Sequence, residues 1–236
     1  MKTLLFFSIV LLIFSTGCDS AKEKSLVSAE ARQQITKLYG CRVIPTLKPD
    51  TSPQEGRNTY LELLLREGKA LAFPSMEHVA ANASLIAYRD LAPAERKKLT
   101  HIRCLIEEEG KKIPFRHDIG ELQAIAAWHP KVKQIDSLLL AGQYEALPAL
   151  MTTYAQEELG TSLIRALQTQ EQEKGKITES KSLGFKVGQS RLDGEVFDAV
   201  SWMFLIKRSG KNTYLELVFP LNAEEKRVLG IRTFKE

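Results

Sequence analysis

The sequence predicts an α+β protein, in which a small mixed domain precedes a domain of helices followed by strands. Three observations support this fold class. Both halves of the chain contain segments whose apolar residues recur at helical spacing. Both halves also contain segments of strict apolar–polar alternation, which is typical of a half-buried strand. From Ser182 onward only strand patterns occur, so the second half is expected to pack helices on an antiparallel sheet.

The composition is that of a globular protein. The chain has 236 residues, and 44% of them are hydrophobic. This length allows one or two domains, and the apolar content excludes disorder over the whole chain. The 33 Lys and Arg residues are interspersed with 29 Asp and Glu residues, which leaves a net charge of +4. Because no basic stripe forms, no nucleic-acid partner is expected.

The first residues have the pattern of an export signal. Lys2 precedes the apolar run at residues 4–14, which is too short to span a bilayer, since a spanning helix needs about 20 residues. The small residues at 15–17 follow, and then Cys18. This arrangement resembles the signal peptide and lipobox of bacterial lipoproteins.

The resemblance implies cleavage after Gly17 and lipid attachment at Cys18. Ser15 stands where such signals usually carry an aliphatic residue, and the alternative is a plain secretory signal that leaves Cys18 unmodified. The implied organisation is a signal peptide at 1–17 and a polar tether at 18–27. The expected location is the cell envelope of a bacterium, with the protein held by its lipid and facing the periplasm or the cell surface.

The remaining cysteines leave two alternatives open. The chain has three cysteines and four histidines. If Cys18 carries lipid, Cys41 and Cys104 form an even pair, which could be a disulfide bond or two buried thiols. The histidines are scattered and no Cys/His spacing suits a metal, so no metal site and no cofactor are expected.

Residues 28–128 are predicted to form the N-terminal α+β domain. Ser28 can cap a helix that Gly40 ends, and Pro93 follows the end of a second, amphipathic helix at 75–91. A short strand is expected at 41–47, and the turn-rich segment at 47–58 is expected to be an exposed loop. The remaining predicted elements are strands at 59–66, 100–107 and 113–116 and a short helix at 119–128.

The dipeptide His129-Pro130 is the predicted domain boundary, because helical patterns resume there after mixed elements. The C-terminal domain at 129–236 is expected to begin with three helices, the first ending at Gly142 and the second at Gly160. Four strands are expected to follow, at 182–189, 197–207, 213–219 and 227–234.

The C-terminal domain carries a second resemblance. Its motifs are the helix segment AGQYEAL, the GKIT turn before the strands, and the ending VLGIRTF. The order of these elements over residues 130–236 resembles the NTF2-like superfamily, and in particular secreted bacterial members of unknown function. The resemblance implies a cone in which a bent antiparallel sheet wraps around helices. It implies no particular chemistry, because many functions share that fold.

Sequence motifs for catalysis are lacking. Asp198 is the one acid that the strand pattern could direct inward, and Ser84 and His78 have no acid in helical register to complete a triad. The sequence therefore favours a lipid-anchored binding or interaction module over an enzyme. The alternative is an NTF2-like enzyme that acts on a small apolar substrate.

The third C-terminal strand offers a candidate interaction surface. Leu215, Leu217 and Phe219 alternate and are expected to pack inward on Leu147, Met151 and Leu163. The opposite face then carries Tyr214, Glu216 and Val218, with Trp202 expected beside them on the neighbouring strand. This face could bind a protein partner or a second copy of the chain, while the N-terminal lipid would bind the membrane.

Overall fold

A computed structural model describes residues 25–54, 57–68, 75–192, 195–209, 211–222 and 227–234. The predicted signal peptide and Cys18 lie outside the described residues. Lipid attachment at Cys18 therefore stays a prediction.

The first half of the chain builds a mixed sheet with its helices. In chain order the elements are α1 (Ala29–Tyr39), β1 (Arg42–Gln54), β2 (Arg57–Arg66), α2 (Met76–Asp90), α3 (Pro93–Arg96), β3 (Leu99–Glu108), β4 (Lys111–Asp118) and α4 (Ile119–Ala126). The strand order is β1-β2-β3-β4. The central pair β2–β3 is parallel and the two outer pairs are antiparallel, so α2 is the connection between two parallel strands.

The second half builds an antiparallel sheet. Its helices are α5 (His129–Leu140) and α6 (Thr153–Lys174), separated by two short 3₁₀ turns. The strands β5 (Ile177–Leu192), β6 (Glu195–Arg208), β7 (Thr213–Pro220) and β8 (Gly230–Phe234) follow and pair in chain order. The predicted α+β class and the order of helices before strands are therefore confirmed.

Helix ends in the first half follow the local signals in the sequence. The Ser28 side chain accepts a hydrogen bond from the Ala31 backbone N–H, and Ser75 does the same for His78 at the start of α2. Gly40 ends α1 with a φ of 62°, a left-handed conformation that glycine adopts without steric cost.

The predicted loop at 47–58 is wrong, because β1 continues through most of it and reaches Gln54. Pro45 and Pro49 both pair with residues of β2. Proline cannot donate to the ladder, but β1 is the edge strand of its sheet, which is where strands tolerate proline. The turn-forming residues of this segment therefore weaken the strand without ending it.

The predicted helix end at Gly160 is also wrong. Helix α6 passes through Gly160 and continues to Lys174, whereas residues 144–150 form only 3₁₀ turns. A Cβ atom at Gly160 would lie 3.2 Å from the Pro148 side chain. This glycine therefore serves the close packing of α6 on the preceding turn and does not terminate the helix. The last strand begins at Gly230, later than predicted.

Helix α2 lies at the centre of the molecule. Every residue from His78 to Tyr88 is buried, and α2 packs on β3 of the first sheet and on β5 of the second. The buried apolar side chains of both halves form one continuous cluster. The predicted domain boundary falls between α4 and α5, inside this shared core, and it stays a prediction.

The predicted inward face of β7 is confirmed. Leu215, Leu217 and Phe219 are each at most 1% exposed, and they belong to the same cluster as Leu147, Met151 and Leu163. The ring of Trp128, which is fully buried, stacks on Phe219 with centroids 4.3 Å apart. This contact joins the end of the first half to the second sheet.

A buried hydrogen-bond chain connects α1, α2 and β5. The Asn82 side-chain amide donates to the Tyr39 hydroxyl at 2.7 Å, and that hydroxyl donates to the Leu183 carbonyl at 3.1 Å. Burial raises the pKa of Tyr39, so the hydroxyl keeps its proton and remains a donor. Next to Leu183, Gly184 has a φ of 124° and lies against the His78 backbone, where an added Cβ would overlap the His78 carbonyl oxygen.

A buried histidine predicts acid sensitivity. His117 packs edge-on against Phe185, and its Nδ1 atom has no hydrogen-bond partner among the described residues. Burial lowers the pKa of His117 to about 4, although Glu77 and Asp118 oppose the shift. Between this value and the ordinary pKa near 6.5, the unfolded chain binds the proton and the folded chain does not, so stability falls as the pH falls.

We expect the free energy of unfolding to drop between pH 7 and pH 5, with His117 contributing up to about 2 kcal/mol. Urea unfolding followed by circular dichroism at both pH values measures the drop. The variant His117→Leu cannot take up this proton, and its pH dependence should be smaller by that amount. Equal pH dependence in the two proteins would contradict the prediction.

Candidate functional site

Three of the four residues predicted to form an interaction surface lie on the outer face of the second sheet. Tyr214, Glu216 and Val218 are half-buried on the outer face of the second sheet, as expected from the alternation. The prediction that Trp202 belongs to this surface is wrong, because Trp202 is only 2% exposed and pairs with Leu217 on the inner face. The apolar run in β6 covers both faces of the strand, so its alternation does not indicate which side faces the core.

The outer face itself is more apolar than the strand pattern of β7 suggests. Met203 pairs with Glu216, and Leu205 pairs with Tyr214. The Glu216 carboxylate accepts a hydrogen bond from the Ser201 hydroxyl and lies 3.9 Å from the Arg232 guanidinium. An interaction role for this face stays a prediction.

Cys41 and Cys104 are both buried free thiols, so of the two alternatives the disulfide bond is not formed in the structure. Burial raises the pKa of Cys41 to about 11 and also raises the pKa of Cys104. Both sulfurs are therefore protonated near neutral pH, and they pack as small apolar side chains. Asp198, the candidate inward acid, is exposed.

A groove that the sequence did not reveal lies where the two halves meet. Its volume is about 570 Å³, which is within the range of small-molecule sites. Helices α1, α2 and α5 and the strands β5 and β6 all contribute to it. The lining residues are Gln34, Lys37, Leu38, Asn82, Leu85, Ile86, Arg89, His129, Val132, Lys133, Asp136, Glu179, Ser180, Lys181, Ser182, Trp202, Phe204 and Lys207.

The floor of the groove is apolar. Leu85 and Ile86 reach it from α2, Val132 from α5, and Trp202 and Phe204 from β6. Each of these side chains is at most 7% exposed. The Trp202 indole donates to the Ser182 hydroxyl at 2.8 Å, which fixes the ring in the wall. The floor can therefore receive a hydrocarbon group without rearrangement.

The rim of the groove is cationic. It carries five basic side chains, Lys37, Arg89, Lys133, Lys181 and Lys207, against two carboxylates, Asp136 and Glu179, a formal charge of +3. Lys207 pairs with Glu179 at 2.6 Å, and Lys181 donates to a backbone carbonyl of α1. The ammonium groups of Lys37 and Lys133 make no ion pair with a described residue. This excess of positive charge favours an anionic ligand.

His129 has a defined tautomer at the edge of the groove. Arg89 can only donate, so its contact of 3.3 Å with His129 Nδ1 makes that nitrogen an acceptor. Burial and, to a smaller extent, the positive charges of Arg89 and Lys133 lower the pKa of His129 to about 4. The neutral ring therefore carries its proton on Nε2, which is buried and has no partner among the described residues.

Two further polar atoms in the groove are buried and have no hydrogen-bond partner in the part of the chain that the structure describes. They are Asp136 Oδ1 on α5 and the Ser180 hydroxyl on β5. Buried polar atoms in proteins are nearly always hydrogen-bonded, so three unpartnered atoms in one groove need an explanation. A bound molecule with both donor and acceptor groups would satisfy them.

The described residues hold no group of three or more His, Cys, Asp or Glu side chains that could bind a metal ion. Within the same residues, no helix combines the length and the apolar character needed to span a membrane. Comparison of the chain with protein-family models, curated proteins and solved structures found no match.

Proposed function

We propose that the protein is a lipid-anchored binding module of the bacterial cell envelope, and that the groove between its halves binds a small amphipathic anion. The observation that carries the proposal is the combination of a buried apolar floor with an unneutralised cationic rim. A hydrocarbon group would lie on the floor beside Trp202 and Phe204, and a carboxylate would face Lys37 and Lys133.

For residues 129–236 we propose an NTF2-like cone. The order of two helices followed by a four-stranded antiparallel meander supports this proposal. The buried aromatic residues Trp202, Phe204 and Phe219 on the inner face support it as well, since they are the contents expected of such a cone. In this arrangement α2 would occupy the open side of the cone, and the groove would be its mouth.

We expect decanoate to bind the groove and decanol to bind more weakly, because both supply the hydrocarbon chain and only decanoate supplies the charge. Isothermal titration calorimetry measures both. Lys133→Glu should weaken decanoate binding about tenfold, which corresponds to about 1.4 kcal/mol, and should leave decanol unchanged.

Lys112→Glu is the matched control, because Lys112 is exposed in the β3–β4 hairpin, away from the groove. Its decanoate affinity should equal that of the wild type. Equal weakening by the two variants would mean that net charge alone attracts the anion. Absence of decanoate binding would contradict the proposed ligand class.

The lipid anchor has its own test. In cells that process lipoproteins, Cys18→Ala should move the protein from the membrane fraction to the soluble fraction, because the acyl chains can no longer be attached. Metabolic labelling with a fatty acid should mark the wild type only. Retention of Cys18→Ala in the membrane fraction would indicate that an uncleaved apolar segment is the anchor.

The enzyme alternative has one observation in its favour. His129 and Asp136 are ionisable groups of the groove, and each has a buried unpartnered atom there. The neutral His129 ring could bind a carbonyl oxygen through Nε2. Release of p-nitrophenol from p-nitrophenyl decanoate by the wild type, lost in His129→Ala, would favour the enzyme over the binding module.

A further inference from the structure

The groove continues into a second cavity, which has a volume of about 430 Å³. The two cavities adjoin, because they share the lining residues Gln34, Ile86, Arg89, His129 and Lys133. The second cavity adds Glu30 and Ala31 from α1 and Asp90 from α2. It is therefore an extension of the groove, and its polar lining differs from the apolar floor described above.

The extension lies at the end of the groove where the chain enters the described structure. Glu30, near the start of α1, lines the extension, whereas Lys37, near the end of α1, lines only the groove. Ser28 caps α1 and donates to the Asp90 carboxylate through its backbone N–H at 2.6 Å and its hydroxyl at 2.7 Å. These bonds hold the start of α1 beside the extension.

The tether limits the distance between the extension and the membrane. Residues 18–24 connect Cys18 to the described residues, and seven residues can span at most about 25 Å even when fully extended. With lipid attached at Cys18, as proposed above, the extension would lie close to the bilayer surface. A lipid of that membrane would then be available at this end of the groove.

Three hydrogen-bond donors line both the groove and the extension. Arg89 and Lys133 are cationic, and neither forms an ion pair with a described residue. The neutral His129 ring adds its Nε2 proton, because Nδ1 accepts from Arg89. A guanidinium, an ammonium and an imidazole N–H are the donors that suit a phosphate group.

An acceptor lies deeper in the groove. Asp136 follows Lys133 by three residues on α5, about 5 Å further along the helix axis, and it lines the groove but not the extension. Its buried Oδ1 atom has no hydrogen-bond partner among the described residues. A hydroxyl group of the ligand would supply the missing donor. A fatty acid has none to supply, because its carboxyl group is ionised near neutral pH.

The extension also reduces the positive charge of the site. The rim of the groove has an excess of three positive charges, and Glu30 and Asp90 lower this excess to one over the two cavities together. A phosphodiester carries a single negative charge near neutral pH, whereas a phosphate monoester carries between one and two. The charge balance therefore favours a phosphodiester.

We propose that the ligand of the groove is a lysophospholipid, a membrane lipid with one acyl chain, a free glycerol hydroxyl and a phosphodiester headgroup. This inference rests on the binding function proposed above and names its ligand. The acyl chain would lie on the apolar floor, and the glycerol hydroxyl would donate to Asp136. The phosphate would accept from Arg89, His129 and Lys133, and the rest of the headgroup would lie in the extension beside Glu30.

Ligands with the same acyl chain separate these contributions. They are 1-decanoyl-lysophosphatidylglycerol, 1-decanoylglycerol, which lacks the phosphate, and decanoate, which lacks both glycerol and phosphate. Glycerol 3-phosphate has the phosphate without the chain. Isothermal titration calorimetry with the chain lacking residues 1–17 measures all four. We expect the lysophospholipid to bind at least tenfold more tightly than each of the others.

Arg89→Gln should weaken binding of the lysophospholipid at least tenfold and leave 1-decanoylglycerol within about twofold, because only the phosphate accepts from Arg89. Arg116→Gln is the matched control, since Arg116 is exposed on β4 and lines neither cavity. Asp136→Leu should weaken the lysophospholipid and not decanoate, because decanoate has no hydroxyl to donate. Near-UV circular dichroism checks that each variant is folded.

Equal affinity for the lysophospholipid and 1-decanoylglycerol would overturn the inference, because the phosphate would then make no favourable contact. Wild-type affinity in Arg89→Gln would overturn it too. Glycerol 3-phosphate binding as tight as that of the lysophospholipid would identify a water-soluble phosphate ester as the ligand and would also overturn it. If decanoate still binds in these cases, the function proposed for the groove stands. Failure of every ligand to bind would contradict that function, and this inference with it.

Discussion

Replacing Gly184 with alanine should destabilise the protein by about 3–5 kcal/mol, close to the total stability of many domains. Two costs add at this position. The added methyl group would overlap the His78 carbonyl oxygen, which belongs to the backbone of α2 and cannot rotate away. In addition, the φ of 124° is one that residues with a Cβ rarely adopt. Equilibrium unfolding in urea measures the loss.

Gly188→Ala is the matched control for this experiment. Gly188 lies on the same strand, is exposed, and has no neighbouring atom within 4 Å of an added Cβ. Its substitution should change the free energy of unfolding by less than about 0.5 kcal/mol. If Gly184→Ala were equally mild, α2 could move away from β5 at little cost, and the packing between the halves would be looser than described.

Truncating Trp128 to alanine should cost about 3–5 kcal/mol, because it empties the volume of a fully buried tryptophan in the shared core. Trp128 is fully buried and stacks on Phe219, so the cavity would open between α4 and the second sheet. Circular dichroism in urea measures the loss without relying on tryptophan fluorescence, which the substitution itself changes.

Trp128→Phe keeps a ring against Phe219 and should retain most of the stability. A second comparison is Tyr154→Ala, which removes an aromatic side chain that is 46% exposed and should cost less than about 1 kcal/mol. A loss for Trp128→Ala as small as that for Tyr154→Ala would mean that the two halves do not depend on this contact.

Local signals in the sequence predicted the helices of the first half and the strands of the second. Ser28, Ser75 and Gly40 act within one turn of chain, so their effect can be inferred without knowing the fold. The loop at 47–58 and the helix end at Gly160 were wrong for the same reason. Pro49 is tolerated because β1 is an edge strand, and Gly160 is needed because Pro148 packs on it. Both facts concern tertiary neighbours.

The groove could not be predicted because its residues are distant in the sequence. Lys37, Lys133 and Lys207 come from α1, α5 and β6, and no motif joins them. One signal was available: the predicted helix at 75–91 contains apolar or small residues on nearly all of its faces. Such a helix must be covered on several sides, which requires that both halves contact it. A helix that both halves must contact needs apolar side chains from the second sheet, and this requirement indicates that Trp202 faces the core.

The position of α2 constrains the order in which the chain can become stable. Its contacts on one side come from β5, about a hundred residues further along the chain. Helix α2 therefore emerges from the ribosome long before β5 has been synthesised. Until β5 arrives, an apolar helix surface is open to solvent and to other chains, which favours aggregation. Contacts of this sequence separation also slow folding, because a long loop must close before they form. We therefore expect the nascent protein to depend on holdase chaperones until its last strands are synthesised.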